Sequence, residues 1–175
     1  MKSLSLLLIV TLFFTACGTR STESTATTDS LAMDSSSILA DTPAPSILAF
    51  SPITGYTVNN TVGLQDSVNF IFLSNQQELD SKFVASSTTI GKPDFVINYN
   101  LAIVCLPSKK MTTITVDKVE LGDAINVYLS IQRGAQQAFA SKATQLVAIE
   151  RRDGYGSMQF YVNGKEAGEL ILPVN

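Results

Sequence analysis

The chain has 175 residues, no histidine and no tryptophan, and its 15 acidic against 12 basic side chains give a formal charge of −3. Without histidine there is no Ser-His or Cys-His nucleophilic pair and no His-containing zinc site. The acidic balance, with no basic stripe to neutralise phosphates, argues against nucleic acid as a partner.

Met1-Lys2-Ser3 brings one positive charge, and residues 4–14 are apolar apart from Ser5 and Thr11. Such a segment is too short to span a bilayer, which takes about 20 residues; a charged start, a short apolar stretch and then small residues describe a signal peptide. Phe14-Thr15-Ala16-Cys17 resembles the lipobox of bacterial lipoproteins, with Phe where Leu is usual. The resemblance implies that residues 1–16 are removed and that Cys17 carries lipid, which ties the protein to a membrane. Each buried methylene contributes about 0.8 kcal/mol, so two or three acyl chains hold where one does not. Gly18 follows, and the aspartate that retains many lipoproteins in the inner membrane is absent. The expected location is therefore the cell envelope, at the outer membrane.

Residues 18–46 contain 13 Ser or Thr and no aromatic residue. That composition cannot bury enough apolar surface to offset the entropy of ordering, so it reads as a flexible tether reaching roughly 30 Å as a coil and about three times that if stretched. Within it, Asp29-Ser30-Leu31 resembles a bacterial O-glycosylation site, a match short enough to arise by chance. Residues 47–175 then form one domain. With Lys2 lost to processing, 11 basic against 15 acidic side chains leave −4. Lys109-Lys110 and Arg151-Arg152 read as isolated pairs at turns or strand ends.

Along the domain, residues 68–73 make a strand. Ser74 can cap a helix over 75–85, with Gln77 completing a capping box and Leu79 and Phe83 sharing a face. Residues 101–106 are apolar on both faces and belong in a central strand. Residues 112–120 and 124–132 flank Leu121-Gly122-Asp123 as a hairpin. The outgoing strand changes parity between Val116 and Val119, which one extra residue near Asp117-Lys118, a β-bulge, would repair. Residues 133–141 read as a loop in which Phe139 is a lone large apolar group: a candidate partner contact, or a plug for the end of the core. Asp153-Gly154 and Asn163-Gly164 then break 145–151, 157–162 and 167–172 into a three-strand meander, Asn-Gly being the strongest type I′ hairpin signal. The fold expected is mainly β, all-β or α+β: an antiparallel β-sandwich or half-open barrel with one short helix.

The order of these pieces is distinctive. A capped helix is followed by Pro93-Asp94-Phe95, the apolar strand 101–106, the hairpin 112–132 and Thr144-Gln145-Leu146-Val147-Ala148-Ile149. Over roughly residues 68–162 this resembles the C-terminal domain of the PrcB family, small envelope proteins associated with protease complexes. Asp94-Phe95 and Leu146-Val147-Ala148-Ile149 carry the match. Ser108-Lys109-Lys110-Met111 stands where the family has a glycine-rich turn, so that turn's geometry does not carry over. The resemblance implies an envelope protein partner, a protease among them.

No catalytic set is expected. There is no Ser-x-x-Lys nucleophile and no phosphate-cradling glycine motif. Cys105, alone in the mature domain, lies inside an apolar run where a thiol is inert. Glu78 with Asp80, and Glu166 with Glu169, have no calcium loop around them and read as surface charge. Neither a metal nor another cofactor is expected. Two functional readings remain: a non-enzymatic, membrane-anchored module that binds an envelope protein through loops or a sheet edge, and a small-molecule binder whose apolar pocket is lined by Phe70, Phe72 and Phe160. The anchor itself is directly testable. Cys17→Ala should abolish detergent partitioning, and a variant still found with the membrane would refute lipidation there.

Overall fold

An unbroken apolar strand such as Leu101-Ala102-Ile103-Val104 must be covered on both faces. The computed structural model, which describes residues 45–87 and 90–173, covers it with a sheet on one side and a helix and short ribbon on the other. The elements are β1 (Ser46–Ile47), β2 (Phe50–Ile53), β3 (Tyr56–Val58), β4 (Val68–Leu73), α1 (Gln76–Lys82), β5 (Phe83–Ala85), β6 (Asn98–Cys105), β7 (Ser108–Leu121), β8 (Ile125–Ser141), β9 (Thr144–Glu150), β10 (Ser157–Val162) and β11 (Lys165–Ile171). All lie within one compact unit, Thr42–Asn175. The expected signal peptide, Cys17, Ser30 and the expected tether as far as residue 44 fall outside the described residues.

A five-stranded sheet runs β1-β7-β8-β10-β11, a four-stranded one runs β2-β9-β6-β4, and β3 pairs with β5. The two larger sheets form a sandwich rather than a barrel. From the four-stranded sheet, Leu101, Ile103, Val147 and Ile149 bury against Val127 and Phe160 of the other. The intervening residues Ala102, Val104, Leu146 and Ala148 turn the opposite way, onto Leu79 of α1 and Phe83 of β5. The alternation of period two thus feeds two separate cores. Phe70 of β4 stacks on Phe160 of β10 with ring centroids 3.9 Å apart. Its ring also lies over Gly168 of β11, where an added Cβ would sit 3.6 Å away.

The β7–β8 hairpin forms as its alternation demands, and its register shifts between Val116 and Lys118, which makes Asp117 the bulge residue. At the second hairpin Asn163 and Gly164 have φ of 50° and 77°, the positive values a type I′ turn needs. Ser46, the last residue of the expected tether, already pairs with Leu121.

Four expectations are corrected. The helix cap is Asn75, not Ser74. Asn75 Oδ1 accepts from the Glu78 N–H at 2.9 Å, while the Ser74 N–H donates to Glu78 Oε2. The helix stops at Lys82 because Phe83 is extended and pairs with Val58. Strand 145–151 does not join a meander: β9 lies in the four-stranded sheet between β2 and β6, so Asp153-Gly154 crosses between sheets. β10 instead lies parallel to β8, with Met158 opposite Ile125 and Val162 opposite Leu129. Residues 133–141 are no loop, because they continue β8 and pair with the start of β7.

Asn163 extends the parallel ladder with its side chain. Its amide N–H donates to the Leu129 carbonyl, its Oδ1 accepts from the Ile131 N–H at 3.0 Å, and its Nδ2 donates to the Ile131 carbonyl at 3.2 Å. Asn163→Gly keeps the backbone freedom and removes both side-chain bonds, so it should lower stability by about 1–2 kcal/mol. Asn163→Ala should cost more, because alanine also resists the positive φ. Thermal denaturation of the 42–175 fragment checks both; an unchanged Tm for Asn163→Gly would show that the side-chain bonds contribute nothing.

Candidate functional site

β7 and β8 outlast their neighbours in the five-stranded sheet. β10 pairs with β8 only as far as Leu129, whereas β7 follows it to Ser141. The start of β7 and residues 132–141 of β8 form a two-stranded arm that bridges to the four-stranded sheet, where the Cys105 N–H donates to the Ala143 carbonyl at 2.9 Å and Thr144 pairs with Val104. It lies at the end opposite Ser46, which pairs with Leu121 at the far end of β7. Thirteen positions of β7 separate the two, about 40 Å at roughly 3.3 Å per residue.

The arm is irregular. Thr112 lies opposite Arg133, Lys110 opposite Gln136 and Ser108 opposite Ser141, so β8 gains one residue in the first interval and three in the second. Extra residues of this kind twist an edge and blunt its capacity to accept another strand. Phe139 falls in the larger bulge and is 84% exposed, so it does not plug the core. Met111 on the opposing strand is 54% exposed. Ala138 and Ala140, which flank Phe139, are exposed and too small to cover it.

The arm also gathers charge. Lys109 and Lys110 had read as an isolated pair, but the strand pairing sets them across from a segment holding Arg133, with Lys142 just beyond Ser141. Sequence reading missed this because it took 133–141 as a loop. The available signal was the absence of any carboxylate in residues 106–116 and 131–149. Arg151 and Arg152 behave differently: the Arg151 guanidinium lies 5.0 Å from the Tyr99 ring centroid, and Arg152 pairs with Glu150 at 2.8 Å.

The carboxylate pairs have structural occupations or lie open to solvent. Glu78 closes the helix cap, and the Ser74 N–H holds its carboxyl below the usual range. Asp80 accepts from Gln76 Nε2 at 2.8 Å. Glu166 and Glu169 are exposed on β11, on either side of its bulge. Among the described residues no three acidic or cysteine side chains gather as metal ligands.

Asp94, one of the residues carrying the family resemblance, caps a turn. Its Oδ1 accepts from the Val96 and Ile97 N–H groups at 2.8 and 3.1 Å. Asn100 Nδ2 ties its carbonyl to β6, and Phe95 packs on the second core. The pair thus fixes the approach to the central strand.

The apolar pocket expected at Phe70, Phe72 and Phe160 is filled by its own rings: Phe160 is fully buried under Phe70, and Phe72 tilts against Tyr99 at 6.2 Å. An open recess of about 510 Å³ lies elsewhere, lined by Tyr99, Asp153, Tyr155 and Leu172. Its most prominent polar group is engaged, since the Tyr99 hydroxyl donates to the Arg152 carbonyl at 3.0 Å. The outer face of the five-stranded sheet carries a cross-strand row: Lys118 Nζ sits 4.3 Å from the Tyr128 ring centroid, and Tyr128 stacks on Tyr161 at 4.8 Å.

Cys105 is buried at the end of β6, and burial pushes its thiol above the ordinary range while Arg133 pulls weakly the other way. At neutral pH it should resist a maleimide in the native protein and react once denaturant is added; rapid native labelling would contradict its placement in the core. Comparison of the chain with protein-family models, with curated proteins and with solved structures finds no match.

Proposed function

We propose that this chain is a non-enzymatic envelope lipoprotein, held at the outer membrane by acylated Cys17, whose β-sandwich presents the β7–β8 arm to another envelope protein. One observation carries the reading: an aromatic ring left 84% exposed on a paired, bulged ribbon that bridges the two sheets. Burying such a ring contributes about 1.5–3 kcal/mol, and solvent-exposed aromatics on a rigid frame are the usual anchors of interfaces. The bulges point to recognition by side chains rather than by strand addition. The resemblance to the PrcB family makes an envelope protease the first class of partner to test. Its glycine-rich turn is replaced here by Ser108-Lys109-Lys110-Met111, which begins the arm, so the contact surface would be particular to this chain.

The test is a pull-down from envelope extract with the 42–175 fragment, which keeps the Ser46 pairing. Phe139→Ala should reduce recovery of the partner by roughly tenfold or more while leaving Tm unchanged, because the ring makes no core contact. Equal recovery with both proteins would remove the arm from the interface.

A further inference from the structure

Resting on that partner-binding reading, we infer that the surface the arm meets is acidic, with an apolar recess that takes Phe139. Residues 106–116 and 131–149 contain Lys109, Lys110, Arg133 and Lys142 and none of the chain's 15 carboxylates. The remainder of this acidic protein holds every negative charge, so sign is segregated along the sequence. Ion pairs among the described residues join Lys82 with Glu78, Lys118 with Glu120 and Arg152 with Glu150. None uses an arm cation. Lys109, Lys110 and Arg133 are exposed.

A cationic ribbon with a protruding aromatic ring also fits an anionic lipid surface, but insertion into a lipid interface takes a continuous apolar face. The arm offers Phe139 and Met111 as its large exposed apolar groups, set among Gln, Ser, Thr and Ala, which suits a protein surface with one recess. Opposite charge at an interface speeds encounter and fixes orientation, while the buried aromatic slows release. The four cations and Phe139 divide these tasks between them.

Photo-crosslinking in cells with the full-length chain tests this, using Phe139→p-benzoylphenylalanine. The expected result is a protein adduct whose contact peptide lies on a net-negative surface. Adduct yield should fall about tenfold in a K109E/K110E background, two exposed charges at about threefold each. It should hold in K92E/K165E, which makes the same change of charge at exposed positions off the arm. The full-length protein should reach the membrane fraction at equal levels in all three. A protein adduct on a neutral or basic surface, or equal loss in both charge variants, would overturn the acidic partner and leave protein binding intact. Label recovered only on lipid, or no protein adduct in any background, would overturn both.

Discussion

The demand that β6 be covered on both faces organises the domain. Residues 99–105 are buried at every position, so its odd residues need one apolar layer and its even residues another. The five-stranded sheet supplies the first, and α1 with the β3–β5 ribbon supplies the second. This explains why so short a helix is kept: Leu79 and Phe83 close a face that would otherwise be open to water. It also explains the change of sheet after β9, since β6 needs a hydrogen-bonding neighbour on each side and β4 fills only one of them.

The same logic marks where the core ends and the surface elements begin. Along β8 the residues Ile125, Val127 and Leu129 are buried, whereas past the point where β10 turns back at Asn163 residues 132–141 are exposed except for half-buried Gln137. Beyond that point the ribbon bends toward β6 and β9, and its composition changes to Gly, Ala, Gln and Ser with cations among them. Its exposed Phe139 and Met111 are therefore best understood through an external contact, and the segregation of positive charge onto the same ribbon limits what that contact can be.

The side chains that the sequence offers for chemistry or ligand binding have structural occupations. Cys105 is packed in the sandwich, Glu78 is committed to the helix cap, and Phe70, Phe72 and Phe160 fill the pocket expected among them. Each of these side chains is accounted for by its immediate neighbours. The arm residues are not, and that contrast motivates a binding role.

What the sequence determined by itself is local and periodic. The alternation of β8, the two-faced apolar run of β6, the bulge at Asp117 and the positive φ of Asn163 and Gly164 all follow from residue type and from neighbours within a few positions. The lipobox resemblance at Cys17 is likewise a matter of adjacent residues. Tertiary structure alone decided which strands become partners. Asp153-Gly154 encodes a break but not whether the chain turns back beside β9 or crosses to another sheet, and nothing in 157–162 announces a parallel neighbour 30 residues earlier. The arm was hidden for a related reason: Gly134, Ala135 and Gln136 have weak strand preference, and only backbone pairing with β7 holds them extended. Backbone pairing is nearly blind to side chains, so register and partner emerge from how the whole set of apolar faces can be buried at once.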